Sequence, residues 1–414
     1  MIGSGVSGLT AAYVLNRSTS VTLYESDTRL GGHAHTHCLS DVSGNPVAID
    51  TGFIVHNDRT YPLLQRLFRE LNVPVQPTEM SMSITDESSQ LEFAGGRGGK
   101  GVFAQPSRIV DRHFLVLLLQ VKKFHKQAKL FLETTNENDQ TTYGEFLRQH
   151  GFTARFVRLY ATPVVSCVWS MGEQTARDYP ARYLFQFLEN HGLLSVKNSP
   201  QWYTVVGGSG TYVAAISRQL PEIRCGVAVA QIQRDSDGAN VLDQSGQWTH
   251  FDAVVVATHA DHALAMLVDA TDDEKAILGA FSYSRNETVL HNDERLLPTA
   301  RQARASWNYR VPPVEESDRP PIVTYWMNHL QGLPTQTPYL VTLNGTQRID
   351  PSKVLAIMHY EHPIYDLAAV TAQKRLATLS TSVTAFAGAY HGWGFHEDGC
   401  RSGVQAAQAL GAKW

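Results

Sequence analysis

The chain has 414 residues, of which 43% are hydrophobic and 18% charged, and its formal net charge is −4. That length suits two domains sharing a cleft, and the composition excludes a largely disordered chain. The weak negative charge offers no basic field to nucleic acid, and no run reaches the roughly 18 to 20 apolar residues of a membrane span.

No basic stretch followed by an apolar run opens the sequence, so no secretory signal is read. Cys38, Cys167, Cys225 and Cys400 lie far apart without C-x-x-C spacing, the pattern of reduced thiols in a cytoplasmic protein.

Residues 6–15 carry apolar side chains at helical spacing, and residues 20–25 (SVTLYE) read as a strand. A polar turn closed by Gly31-Gly32 follows, and then a hairpin around Ser43-Gly44-Asn45-Pro46. The glycine-rich residues 94–101 fail the phosphate-loop pattern, because Ala94 replaces the first glycine and Gly101 follows Lys100, so they read as a loop. Residues 107–192 look helical. Within them, residues 114–121 (FLVLLLQV) precede Lys122, Lys123, Lys126 and Lys129, which fits either a buried helix with a solvated basic end or a helix at a membrane surface.

Strand patterns return at 202–206 and 227–234. Residues 251–258 form one continuous apolar run of the buried parallel kind. Segments 339–343 and 354–359 suggest a second sheet. A last strand at 383–387 precedes a small-residue helix from about Arg401.

The chemistry begins at Gly3-Ser4-Gly5-Val6-Ser7-Gly8, a G-x-G-x-x-G run opening a helix. Gly3 permits a tight turn, Gly5 lets the backbone approach a pyrophosphate, and Gly8 lets helix and strand pack closely. The helix N-terminus then offers unpaired N–H groups to phosphate. Glu25 ends the next strand, where a carboxylate can accept both hydroxyls of an adenosine ribose. Only Met1 and Ile2 precede Gly3, whereas a core strand usually supplies about five residues. Either part of that strand is missing or the sheet starts on a stub.

After Glu25 comes Arg29-Leu30-Gly31-Gly32-His33. An acid followed by R-x-G-G resembles the second fingerprint of flavoproteins of the amine-oxidase and phytoene-desaturase type. At the other end, Phe386-Ala387-Gly388 followed by the run 394–407 resembles that class's aromatic, Glu and small-residue helix. The resemblance runs from Gly3 to the C-terminal helix and implies FAD. It places Gly31, Gly32 and Gly52 against the cofactor, Val229 at the adenine, Thr258 beside the dinucleotide and Gly388 at the end of the last strand. It also sets the backbone of His396 on the isoalloxazine and makes Phe395 one wall of the substrate site. His33 stands where the class commonly has an Arg on the pyrophosphate, and Ala389 where it has an acid. His33, His35 and His37 read as a polar strand face, and no metal site is assigned. The turn at residues 207–210 lacks a third glycine and a following acid, which argues against an NAD(P)H site.

The expected fold is α/β. A Rossmann-like FAD-binding domain with a parallel sheet takes residues 1–75, 200–265 and 375–414. A mixed α+β substrate domain takes 76–199 and 266–374. Pro200-Gln201-Trp202, residues 257–261, 283–286 and 325–328, and the run 394–403 resemble a bacterial subgroup encoded beside enzymes similar to cyclopropane-fatty-acid synthases. That company implies an oxidoreductase taking hydride from a modified fatty acyl chain, in the cytoplasm or at the membrane periphery. Oxidation of a small amine, flavin-dependent isomerisation and a non-catalytic flavin protein stay open, and no electron acceptor is indicated. A desaturase needs a base for the second proton. His396, Glu397, Tyr390 and His56 are the candidates, against plainer roles such as Glu397 capping the C-terminal helix.

Overall fold

The computed structural model describes residues 1–137, 139–169, 173–195, 199–313 and 322–414. A parallel sheet lies at the centre of the nucleotide-binding part. Strand Glu222–Cys225 pairs with Thr22–Glu25, and Val254–Val256 pairs with Thr384–Phe386, both in parallel. Ile2 alone joins the two pairs, bridging Tyr24 on one side and Val256 on the other. Four backbone hydrogen bonds of 2.8–2.9 Å secure Met1, Ile2 and Gly3 between these neighbours. The segment before Gly3 is therefore bonded on both edges.

The first helix, Val6–Leu15, is buried along nearly its whole length and packs against the C-terminal helix, His396–Ala409. Small residues make the approach possible. A Cβ on Gly403 would lie 2.3 Å from the Ser7 carbonyl oxygen, and one on Gly399 would lie 2.5 Å from Val6.

The second sheet has seven strands in the order 354–364, 282–291, 340–343, 322–326, 307–311, 82–86 and 91–95. All its pairings are antiparallel except 307–311 with 82–86. The helical region covers this sheet. It includes the 23-residue helix Arg112–Thr134, whose N-terminal Asp111 accepts hydrogen bonds from His113 and Phe114. Buried Phe124 centres an aromatic cluster with Phe146, Phe156 and Phe185. No helix among the described residues is long and apolar enough to cross a membrane. All four cysteines are free thiols.

Three local expectations need correction. The run 251–258 is two strands: Trp248–Phe251 closes a three-stranded antiparallel sheet, and the chain then turns at 252–253 into Val254–Val256 of the parallel sheet. Asp252, exposed at the turn and the one charged residue in the run, marks the change of sheet. The loop 94–101 contains one helical turn, Gly98–Val102, entered through positive φ at Gly96 and Gly98. The C-terminal helix starts at His396 instead of near Arg401, because Asp398 accepts hydrogen bonds from the Trp393 and Phe395 N–H groups at 3.0 Å and closes its first turn.

Candidate cofactor and active site

The two glycine motifs meet at the C-terminal edge of the parallel sheet. Gly8 leaves no choice of residue: its Cβ would sit 1.9 Å from the Gly3 carbonyl oxygen. A Cβ on Gly5, by contrast, would meet nothing within 4 Å. Gly5 precedes the first helix, and no side chain caps the first-turn N–H groups. Gly31 and Gly32 adopt positive φ, and a Cβ on Gly32 would lie 3.2 Å from the Gly5 Cα.

Glu25 is fixed at the end of its strand. One carboxylate oxygen accepts from the Ser4 N–H at 2.8 Å and the Ser4 hydroxyl at 2.6 Å, and the other accepts from the Asp27 N–H at 2.8 Å. The Val227 N–H bonds the Glu25 carbonyl at 2.8 Å, which brings the strand Val229–Arg234 to the same corner. Thr258 lies against Gly3, and its carbonyl oxygen faces Gly388, whose N–H donates to the Ser402 hydroxyl at 3.0 Å.

Next to this edge are unsatisfied donors. Arg29 Nη1 and His33 Nε2 are buried without hydrogen-bond partners. Burial, with lesser repulsion from neighbours that include Arg29, holds His33 neutral by pushing its pKa well down. Uncapped helix N–H groups, an open cradle at Gly5, an orphan guanidinium nitrogen and a ribose-type acid suit a dinucleotide pyrophosphate.

The loop after strand Pro46–Asp50 crosses the same place. The Phe53 N–H bonds the His33 carbonyl at 2.6 Å, and a Cβ on Gly52 would lie 2.2 Å from that oxygen. The Phe53 ring stacks on His396 with centroids 3.6 Å apart. Asp50, fully buried, was not singled out from sequence. It accepts from Thr36, from the Ser209 N–H and hydroxyl, and from Gln331 Nε2 at 2.6–3.0 Å. Burial still raises its pKa to about 6. The turn 207–210 is thus anchored on this carboxylate.

Among the residues weighed as bases, His396 is buried, its Nε2 lies 3.2 Å from the Tyr212 hydroxyl, and burial lowers its pKa to about 3. Glu397 caps a different helix from the one expected. Its two oxygens accept from Leu63 and Leu64 N–H at 3.0 and 2.9 Å, in the first turn of Pro62–Glu70, while burial raises it to about 7. Tyr390 is buried with its hydroxyl unpartnered. His56 stacks on Tyr203 at 5.8 Å, with its pKa lowered by burial to about 4.

Two residues missed from sequence join the cluster. The ring of His362 lies 5.4 Å from that of His33, with Nδ1 3.2 Å from Asn286 Nδ2, and the ring of Tyr360 lies 5.0 Å from His33. The sequence signal here was the strand reading at 354–359, which stops short of both residues.

Phe395 packs on Phe187 at 4.8 Å and on Trp169 at 6.3 Å. A small cavity beside it is lined by Tyr61, His191, Trp393, Phe395, Glu397 and Asp398, among others.

A parallel sheet with glycine motifs, a ribose-type acid and a second sheet over the cleft define an FAD-dependent oxidoreductase. The chain belongs to the flavin containing amine oxidoreductase family, whose model matches residues 6–296. It is 26% identical over 263 residues to (S)-6-hydroxynicotine oxidase of Paenarthrobacter nicotinovorans, a match covering 62% of this chain and 59% of that protein. In fold it is similar to cyclohexylamine oxidase from Brevibacterium oxydans (TM-score 0.71, 15% identity, 99% and 97% of the two chains). It is also similar to a fatty acid isomerase from P. acnes that produces CLA (TM-score 0.66, 15% identity, 97% and 96%).

Proposed function

We propose that the protein is a flavin-dependent dehydrogenase of an apolar, acyl-type substrate. The observation carrying this reading is the wall at Phe395. Trp393 and Phe395 line the cavity with aromatic surface, backed by buried Phe187 and Trp169, and the two carboxylates there are already committed. Glu397 caps the helix Pro62–Glu70, and Asp398 is paired with Arg401. A substrate cation would find no spare counter-ion on this wall, whereas a hydrocarbon chain loses nothing by entering it.

Bound FAD supplies the two-electron acceptor for a substrate C–H. The chain positions the pyrophosphate at Gly5 and Arg29, holds the ribose at Glu25, and excludes water with the aromatic wall. Removal of the neighbouring proton falls to a neutral imidazole. His362, lowered to about 4 by burial and oriented by Asn286, joins His396 as a candidate. Tyr390, pushed well up by burial, serves better as a hydrogen-bond donor.

The same reading places the protein at a lipid surface. Ile109, Val110, Leu115, Val116 and Leu119 are all exposed at the start of the long helix, while Phe114 and Leu117 face inward. Arg112, Lys122 and Lys126 follow on the same segment.

A second reading, oxidation of a small amine, is favoured by the family and by the hydroxynicotine oxidase relative. The deciding experiment is anaerobic titration of the flavin-loaded protein, read at the flavin absorption band. Bleaching by extracted bacterial acyl lipid and not by amines supports the first reading. Bleaching by amines alone replaces it with the second.

A further inference from the structure

The sequence reading assigned no metal site, but the fold brings together three ligating side chains beside the cofactor edge. We propose that His259, His262 and Glu361 bind a divalent cation of the zinc class. Their ligand atoms all lie within 4.8 Å of one another.

The local structure prepares the two histidines. His259 is the residue before helix Ala260–Met266, and His262 follows one turn later on the same face. Their rings lie 5.2 Å apart. Tyr283 fixes the first of them twice. Its ring stacks on His259 at 4.1 Å, 10° from parallel, and its hydroxyl accepts the Ala260 N–H at 2.9 Å. Glu361 arrives from strand Val354–Ile364.

The spacing of the first pair is informative. His259 Nδ1 and Glu361 Oε2 are 3.3 Å apart, yet that buried nitrogen has no hydrogen-bond partner. Two donors at about 2.0–2.1 Å from a tetrahedral zinc ion are themselves about 3.3–3.4 Å apart. The pair therefore stands at the separation of co-ligands without being aligned as donor and acceptor. His262 is exposed and free to swing the remaining distance. Two imidazoles and one carboxylate, with a fourth position left to water, form a recognised zinc donor set.

The cation would join different parts of the fold. His259 follows Thr258 at the end of the parallel sheet, and Glu361 belongs to the seven-stranded sheet, flanked by Tyr360 and His362. Binding would clamp the two sheets together next to His33.

The test is calorimetric titration of the flavin-loaded protein with zinc chloride, on the unaltered chain, His262→Ala, Glu361→Gln and a control carrying His35→Ala with His37→Ala. The expected result is one zinc per chain, weakened at least about tenfold by His262→Ala and by Glu361→Gln and unchanged in the control. The flavin spectrum of each variant reports that the fold is retained. No saturable heat, or one-site binding that survives both His262→Ala and Glu361→Gln, overturns the proposal.

Discussion

Phe53 lies flat on His396, with ring planes 11° apart, so a loop near the start of the chain is stacked on the first residue of its last helix. The backbone of Phe53 is bonded at the same time to His33. This one ring links the second glycine motif to the C-terminal helix. Phe53→Ala should cost about 3 kcal/mol of stability and loosen flavin. Urea unfolding and flavin release measure the two effects, and Phe53→Trp should retain more of both. Indifference to Phe53→Ala would show that the stack carries no weight.

Gly5 and Gly8 separate binding from folding. Gly5→Val adds atoms where no protein atom lies within 4 Å, so the chain should fold and fail to hold FAD. Gly8→Ala drives a methyl against the Gly3 carbonyl and should destabilise the protein by about 1–3 kcal/mol even without flavin. Thermal melts of the flavin-free variants distinguish them. Full FAD retention in Gly5→Val would contradict the assignment of the cradle.

Stability should fall as pH drops from about 6.5 to about 4. His56, His191, His291, His362 and His391 have pKa values lowered to about 4 by burial, and His396 to about 3. Unfolding returns each to about 6.5, so between those values the unfolded chain binds more protons and gains. Asp50 and Glu397, raised to about 6 and about 7, act oppositely, since their contribution is lost as pH rises through those values. The histidines outnumber them and set the sign. Urea midpoints across this range test it, and a flat profile would mean that these imidazoles are not held neutral.

Vesicle sedimentation tests the exposed apolar segment. Vesicles containing anionic lipid should carry the protein down at low salt, less so at high salt, and hardly at all with Val110→Asp and Leu119→Asp together. Equal pelleting of that double variant would place the contact elsewhere.

What the sequence made legible was local. The motif 3–8, Glu25 and residues 29–33 are a single stretch of chain, and their meaning lies in spacing alone. Asp50 was opaque because its partners, Ser209 and Gln331, lie 159 and 281 residues away. The cap on Leu63 and Leu64 comes from Glu397, more than 330 residues distant. Nothing near either carboxylate announces its use. His362 was hidden differently, as one of several polar residues at the end of a strand that opens with five apolar ones.

Asp50 also bears on how the corner is held. Its carboxylate is enclosed only when Thr36, the turn at Ser209 and Gln331 have all arrived, and until then burying it is costly. Segments distant in the chain must therefore gather for that corner to dehydrate, so it is held by contacts of long sequence separation. Asp50→Asn should ease the closing of the corner while weakening its grip on the turn at 207–210. That one carboxylate thus fastens three separate stretches of chain to the strand that leads into the loop at Gly52 and Phe53.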